Sequence, residues 1–442
     1  MIIINIESLK KIACEAVDEY ADEFVSIGRK LRDIPETGFK EYKSSAFVKE
    51  KLEALGLEVK DKIAITGLRS VAKGKNSFAN IALISELDAL ACPNHIFADK
   101  INGAGHACCH HTQSAVLIGV ATVLAKTGII KELDGDITFM SVPAEEAIEG
   151  DFRRSLKEEG KIEFLSGKQE FIRLGMLENV DVAICQHPVS AGKEEYYACG
   201  HTYNGIINKK IVFNGKSAHA ALCPENGINA LQAAVNAINN INSLRETFSD
   251  DDYVRIHYII TNGGASSNIV PNRVEMEMGV RAKTTQKMIE VNQKVNEALR
   301  VGARAIGATV DILDYNAYLP FLQNKQLTDI YLKNALAFTD NVFDISSDHR
   351  GSSTDAGDFA SVVPTIHPVY GGVHGVLHAD DCYIENERLA YAQSIKPIVC
   401  TIIDLLSNDA ILTRNVRDNF EPEFCNKSEY IDFYKNLFSG NL

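Results

Sequence analysis

The sequence predicts an α/β protein with a mostly parallel sheet, interrupted by an inserted ferredoxin-like α+β domain. Three observations carry this. Strand-like runs alternate with helical ones from residue 80 to 188, the rhythm of a parallel sheet. Residues 203–314 change to the order β-α-β-β-α-β, a split pattern that stands alone as a domain. The α/β rhythm then resumes, and 442 residues suffice for two domains with a sizeable core in each. The expected division is a discontinuous larger domain, 1–202 and 315–442, around 203–314.

Leu9, Ile12, Val17, Tyr20, Phe24, Ile27 and Leu31 fall on or near one face and predict a helix over 7–32. Pro35-Glu36-Thr37-Gly38 breaks it, and a second helix follows at about 41–55, closed by Gly56. Residues 80–87 read as a buried strand ending in Glu86-Leu87-Asp88. A loop rich in cysteine and histidine comes next, then an apolar helix over 113–126. The next strand, 136–142, runs into Pro143-Ala144-Glu145-Glu146. A charged stretch and a helix near 168–176 lead to strand 182–185 and Gln186-His187-Pro188. Parallel sheets bind ligands beyond the carboxyl ends of their strands. Asp88, Glu145, Glu146 and His187 all take that position.

In the insertion, strands are expected at 206–213, 253–260, 273–281 and 309–314, with helices at 227–246 and about 285–305. Val274, Met276, Met278 and Val280 alternate onto one face, as a half-buried strand requires. Beyond it lie a helix at 326–337, a polar loop at 351–358, a strand at 362–367 and a terminal helix at 387–406.

Composition narrows the partners. A net charge of −14 argues against nucleic acid and anionic membrane. No segment is read as approaching the length of a membrane span, and the start Met1-Ile2-Ile3-Ile4-Asn5-Ile6-Glu7 has no basic region. A cytoplasmic protein is expected. The ten cysteines have no framework spacing and read as reduced core thiols. All twelve histidines lie after residue 94, so imidazole chemistry belongs to the later chain.

Gly105-His106-Ala107-Cys108-Cys109-His110-His111 concentrates three histidines and two cysteines in six residues. Thiolate sulfur and neutral imidazole are donors for zinc, manganese or cobalt. The cluster alone fits a catalytic site or a structural knuckle, because a complete site needs distant ligands. Glu145-Glu146 can divide into a metal ligand and a general base acting on water; the bland alternative is a solvated pair at a helix start. His187 reads equally as a ligand or a satisfied core histidine. His374 and His378 compete as a late ligand. His219 can polarise a carbonyl, and Ser266-Ser267-Asn268 can support an oxyanion, unless both serve turns. Gly351-Ser352-Ser353-Thr354-Asp355 can cradle a substrate carboxylate or be a turn. No Walker loop, dinucleotide fingerprint or G-x-S-x-G elbow is present.

Taken in order, these motifs carry a resemblance. Pro35-Glu36-Thr37-Gly38-Phe39-Lys40-Glu41, Glu86-Leu87-Asp88-Ala89-Leu90, Gly105-His106-Ala107-Cys108, Pro143-Ala144-Glu145-Glu146 and Gln186-His187-Pro188 come first. Phe213-Asn214-Gly215-Lys216-Ser217-Ala218-His219-Ala220, Asn268-Ile269-Val270-Pro271 and Gly351-Ser352-Ser353-Thr354-Asp355 follow. The set resembles the metal-dependent amidohydrolases of the aminoacylase, hippurate hydrolase and indole-acetyl-amino-acid hydrolase family. It is most similar to the aminobenzoyl-glutamate hydrolase and dipeptidase-like branch.

That resemblance implies a zinc-exopeptidase-like catalytic domain, an inserted lid through which a homodimer forms, and two divalent ions (zinc, manganese, cobalt or nickel). It implies Cys108 as a bridging ligand, with His110, Glu146, His187 and His378 completing the set and Glu145 as general base. His219 and Asn268 match lid groups that reach the partner subunit's site. Arg281 falls near a position that pairs with a substrate carboxylate, or in a strand-edge salt bridge, and Ser353 and Thr354 lie in the candidate cradle. The implied reaction is amide hydrolysis of an N-acyl amino acid or dipeptide-like substrate. The sequence departs from the pattern at Cys109, where the family has glycine, and at His111, where it has aspartate. Arg32-Asp33-Ile34 replaces the usual histidine before Pro-Glu, and a charged segment through Glu163 replaces a glycine-rich tail. A metal- or ligand-binding homodimer without turnover is the alternative those departures leave.

Overall fold

The computed structural model describes residues 5–440 and has two compact units. One comprises Met1–His201, Leu322–Asp348 and Phe359–Lys427; the other comprises Thr202–Phe321, His349–Asp358 and Ser428–Leu442. Met1–Ile4, part of the start read above as lacking a basic region, lie outside the described residues.

The first unit is built on a six-stranded sheet in the order Val59–Ile63, Gly67–Ala72, Asp136–Val142, Asn80–Glu86, Val182–Cys185, Thr365–Ile366. The last four strands are mutually parallel, and the first two form an antiparallel edge. Asp136–Val142 is buried at every position, as a central strand covered on both faces requires, and Thr138 and Ser141 are buried with its apolar residues. The edge hairpin escaped the sequence reading because Val59–Ile63 places three consecutive charged residues between its two apolar ends. Only Thr365–Ile366 of the expected 362–367 is strand, since Pro364 and Pro368 bracket it and cannot donate to a ladder.

Several helices depart from expectation. The single helix over 7–32 is two, Ile6–Glu19 and Ala21–Arg32, separated at Tyr20, and Ile12 is 40% exposed rather than inward. The apolar helix begins at His110, three residues before the expected 113, and runs to Lys126. The polar loop at 351–358 gives way to a helical turn from Ala356. Residues 387–406 become a π-turn, Leu389–Gln393, and a helix, Ile395–Leu406, and two further helices follow, Ile411–Asp418 and Lys427–Phe438. The reading that no segment reaches the length of a membrane span is also corrected. Leu389–Leu406 is long and apolar enough, but 83% of it is buried inside the protein. It is a core element, packed with Phe24, Leu83, Val120 and Ile184 in one apolar cluster. Each such buried side chain contributes about 1.5–3 kcal/mol.

The second unit follows the predicted order. Its antiparallel sheet runs Arg255–Asn262, Arg273–Ala282, Gly205–Asn214, Thr309–Tyr318, with helices Ala230–Leu244 and Thr285–Arg304 between strands. Ala233, Ala237, Val291, Val295 and Leu299 from the helices share a core with Ile211, Phe213, Val274, Met276 and Val280. The final strand extends four residues beyond the expected 314.

Candidate metal centre

In the first unit, Glu86 ends a parallel strand, and Asp88, Glu145, Glu146 and His187 follow the carboxyl ends of parallel strands. The cysteine-histidine segment supplies the next donors. Cys109 lies in the left-handed region, φ 61 and ψ 25, immediately before the helix that starts at His110. A residue other than glycine pays a steric cost there, which explains the family's glycine at this position. The turn leaves Cys108 on one side of the bend and His110 in the first helical turn.

Two donor triples result. The ligand atoms of Cys108, His110 and His187 lie within 4.8 Å of one another, and so do those of Cys108, Glu146 and His378. Cys108 is common to both. Its Sγ is 3.5 Å from His187 Nε2, and His378 Nε2 is 3.1 Å from Glu146 Oε1. Glu86, His110 and Glu145 form a third group at the same spacing. His374, the rival late histidine, instead faces Glu385 at 3.7 Å and packs on Tyr383.

Neighbouring groups fix which ring nitrogen each histidine presents. His110 Nδ1 meets the Asp88 carbonyl at 3.0 Å and its carboxylate at 3.2 Å, so Nδ1–H donates and Nε2 faces the site. His187 Nδ1 donates to the Pro188 carbonyl at 2.6 Å, which leaves its Nε2 beside Cys108. Buried His110 Nε2 and Glu146 Oε1 have no hydrogen-bond partner. Such orphaned donor atoms, mixed in S, N and O and converging from three directions, fit a pair of divalent cations.

Burial pushes the Cys108 thiol well above its ordinary range. Burial, then the neighbouring His110, lowers His187 to about 4, so it is a neutral imidazole at neutral pH. Burial opposes ionisation of Asp88, but the bond from His110 and its charge, the Glu146 N–H and Arg153 together outweigh it and hold the carboxyl below its usual range. Binding a divalent cation with such a set releases the thiol proton.

The loop bearing the glutamate pair is held by buried polar groups, and the sequence reading missed two buried cations beside it, Arg153 and Lys168. Ala144 has φ 56, uncommon for a residue with a Cβ. Its N–H donates to Glu41 at 2.9 Å, and the Glu146 N–H donates to Asp88 at 2.9 Å. Buried Arg153 donates to the carbonyls of Ala144 (3.3 Å), Leu165 (2.8 Å) and Glu146. Lys168, fully buried, pairs with Glu86 at 2.5 Å. A lysine or arginine in a charged stretch reads as a solvated face, so nothing in the sequence marked these two. Of the remaining cluster residues, His111 meets the Tyr391 hydroxyl at 3.0 Å, His106 packs on His111, and Cys109 Sγ lies 3.8 Å from Cys382 Sγ.

The other candidates belong to the second unit and form two groups within it. His219 and Asn268 are exposed neighbours: the Ala220 N–H donates to the Asn268 carbonyl at 3.0 Å, and His219 bridges Ile269. Arg281 donates to Ser353 Oγ at 2.7 Å, not to a strand-edge carboxylate, and Thr354 Oγ1 accepts from the Ala356 N–H at 3.2 Å.

Comparison with known proteins agrees with this architecture. Residues 202–306 match the M20 peptidase dimerisation domain. The Xaa-Arg dipeptidase of Mus musculus is 28% identical over 440 residues, covering 94% of this chain and 93% of that protein. A putative aminohydrolase from methicillin-resistant Staphylococcus aureus superposes with a TM-score of 0.75 at 19% identity, covering 90% of this chain and all of that one. A dinuclear metal binding peptidase of the M20 family from Bacillus subtilis gives 0.65 at 20% identity, covering 88% and 99%. The two structural likenesses carry the fold. The chain is a homologue of the M20 metallopeptidases and related amidohydrolases, and it contains their dimerisation domain.

Proposed function

We propose that this protein is a metal-dependent amidohydrolase that cleaves the amide bond of an N-acyl amino acid or dipeptide-like substrate and works as a homodimer. The observation that carries this reading is the pair of donor triples sharing Cys108, with Glu145 beside them. Cys108, His110 and His187 would hold one ion, and Cys108, Glu146 and His378 the other. Two divalent ions, when bound, acidify water and polarise the scissile carbonyl. Glu145 takes the proton from the attacking water and delivers it to the departing amine nitrogen. His219 and Asn268 support the developing oxyanion from the lid, and Arg281 with Ser353 and Thr354 receives the substrate carboxylate. Zinc, manganese, cobalt and nickel all suit these ligands. Ten free cysteines fit the reducing cytoplasm.

A panel of N-acyl amino acids and dipeptides, assayed with added manganese or zinc, tests the reading. The wild type should hydrolyse members of the panel. Glu145→Gln should keep its metal yet lose about 10²–10⁴-fold in turnover. Near-normal turnover in that variant overturns the role of Glu145. Metal binding with no hydrolysis of any member favours a binding homodimer instead.

A further inference from the structure

We propose that Glu86 is an additional metal donor, acting through Oε2 beside His110, while Lys168 holds its other oxygen. This rests on reading Cys108, His110 and His187 as a metal position. Glu86 closes the strand Asn80–Glu86 and is 2% exposed. Its Oε2 lies 3.2 Å from His110 Nε2, the ring nitrogen that faces the site. That approach is not a hydrogen bond, since His110 Nε2 has no hydrogen-bond partner. Two protein donors on one ion, each about 2.0–2.2 Å from it, stand roughly 3.0–3.4 Å apart. The observed spacing falls in that range, and Glu86, His110 and Glu145 together form a compact donor group.

The carboxylate is fixed in this pose by two donors, and the residue's backbone by a third contact. Gln113 Nε2 donates to Oε2 at 2.7 Å, and Gln113 Oε1 accepts the Glu86 N–H at 3.0 Å. Lys168 Nζ donates to Oε1 at 2.5 Å. Oε2, with one donor from Gln113, keeps acceptor capacity beside His110 Nε2, whereas Oε1 is committed to the ammonium. The competing account is an ordinary buried ion pair. Such a pair adds little over apolar residues of like volume, and it accounts for the approach of Oε2 to His110 Nε2 only if that imidazole carries a second proton. The two accounts differ in what Lys168 does. If Glu86 is a donor, the ammonium draws charge away from the ion. If the pair is structural, the two residues act together.

The test is titration of metal-free protein with cobalt(II) against a chromophoric chelator, with the visible spectrum recorded. Glu86→Gln should weaken one of two affinities by about tenfold or more and change the cobalt spectrum. Lys168→Met should leave that affinity unchanged or tighter. Glu86→Gln/Lys168→Met removes both charges, leaves no unpaired buried ion, and should follow Glu86→Gln. The proposal is overturned if both single variants weaken binding alike and the double variant restores it, or if the double variant does not fold. Two ions bound with affinities indifferent to Glu86 overturn this proposal alone. A wild type that takes up no cobalt overturns the metal-centre reading as well.

Discussion

His378 Nε2 stands 3.1 Å from Glu146 Oε1, which joins a late loop to the carboxylate following a central strand. The backbone makes this contact possible. His378 has φ 72, and its N–H donates to the Ala107 carbonyl at 2.8 Å, one residue before Cys108. The loop is thereby anchored to the segment that supplies the shared sulfur. A left-handed conformation in a residue with a Cβ costs about 1–2 kcal/mol, so this histidine sits in a conformation that favours glycine.

His378→Gly should therefore separate stability from binding. Metal-free, the variant should be as stable as the wild type or about 1 kcal/mol more so, because the half-exposed imidazole packs little and the strain is relieved. It should nonetheless bind one ion fewer. Denaturant unfolding of the metal-free forms and elemental analysis of the loaded forms check both. Unchanged metal content would remove His378 from the ligand set.

Arg153 supports the glutamate loop through three backbone carbonyls. Arg153→Met should leave those acceptors without their donor and let the strained peptide at Ala144 relax. The expected cost is about 2–4 kcal/mol in unfolding free energy. Turnover should fall at least about tenfold with little change in KM, since reacting groups displaced by an ångström lose rate rather than binding. A variant that loses stability but retains kcat would make Arg153 a purely structural residue.

These two arginine and histidine contacts mark the boundary of what the sequence reveals. Cys108 and His110 are two residues apart, so their nearness is legible as spacing. The convergence of Glu146 and His187 is legible because both follow apolar strand runs, and strand ends of a parallel sheet share one edge. Buried Lys168 and Arg153 are not, because long cationic side chains are usually solvated and only the tertiary partners reveal otherwise. Periodicity likewise carried the second unit's strand order, while the Tyr20 break left the apolar pattern of residues 7–32 uninterrupted. The edge hairpin at 59–72 was hidden by its half-exposed, charge-bearing pattern.

Glu41 gives the fold a pH dependence. It is fully buried, accepts from Thr66 Oγ1 at 2.6 Å and the Ala144 N–H at 2.9 Å, and is raised to about 8 by burial and then by the charge of Asp88. The folded protein thus holds this proton more tightly than the unfolded chain, whose glutamate ionises near 4.5. The stability it contributes is full below about pH 4.5 and is lost as pH rises toward 8, with a limiting slope of about 1.4 kcal/mol per pH unit. His106, lowered to about 3 chiefly by burial, acts in the opposite sense: its contribution is full above 6.5 and lost as pH falls. Urea unfolding of metal-free protein between pH 6.5 and 8 reports Glu41 as the difference between wild type and Glu41→Gln, because His110 and His378, both raised above 6.5, weaken the two proteins alike. The wild type should weaken over that range, and Glu41→Gln should weaken less. Parallel losses in both would show that Glu41 does not hold a proton in the folded state.

The tail helix Lys427–Phe438 bears on the second unit's candidate substrate cradle. Tyr430 and Tyr434, four residues apart on one helical face, both donate to Asp358 Oδ1, at 2.7 and 2.5 Å, and all three are fully buried. Asp358 closes the segment that begins with Gly351 and carries Ser353, the partner of Arg281 at 2.7 Å. Removing donors from a buried carboxylate costs about 1.5–3 kcal/mol per hydrogen bond. Tyr430→Phe/Tyr434→Phe should therefore lower the unfolding temperature. Adding Asp358→Asn should recover part of the loss, because a neutral amide tolerates the missing donors better than a carboxylate. If Arg281 and Ser353 receive the substrate carboxylate, the double variant should also raise KM more than it lowers kcat, since the displaced groups bind substrate rather than react with it. Thermal melts and steady-state kinetics on the same preparations decide the point. An unchanged KM at reduced stability would confine the tyrosines to folding.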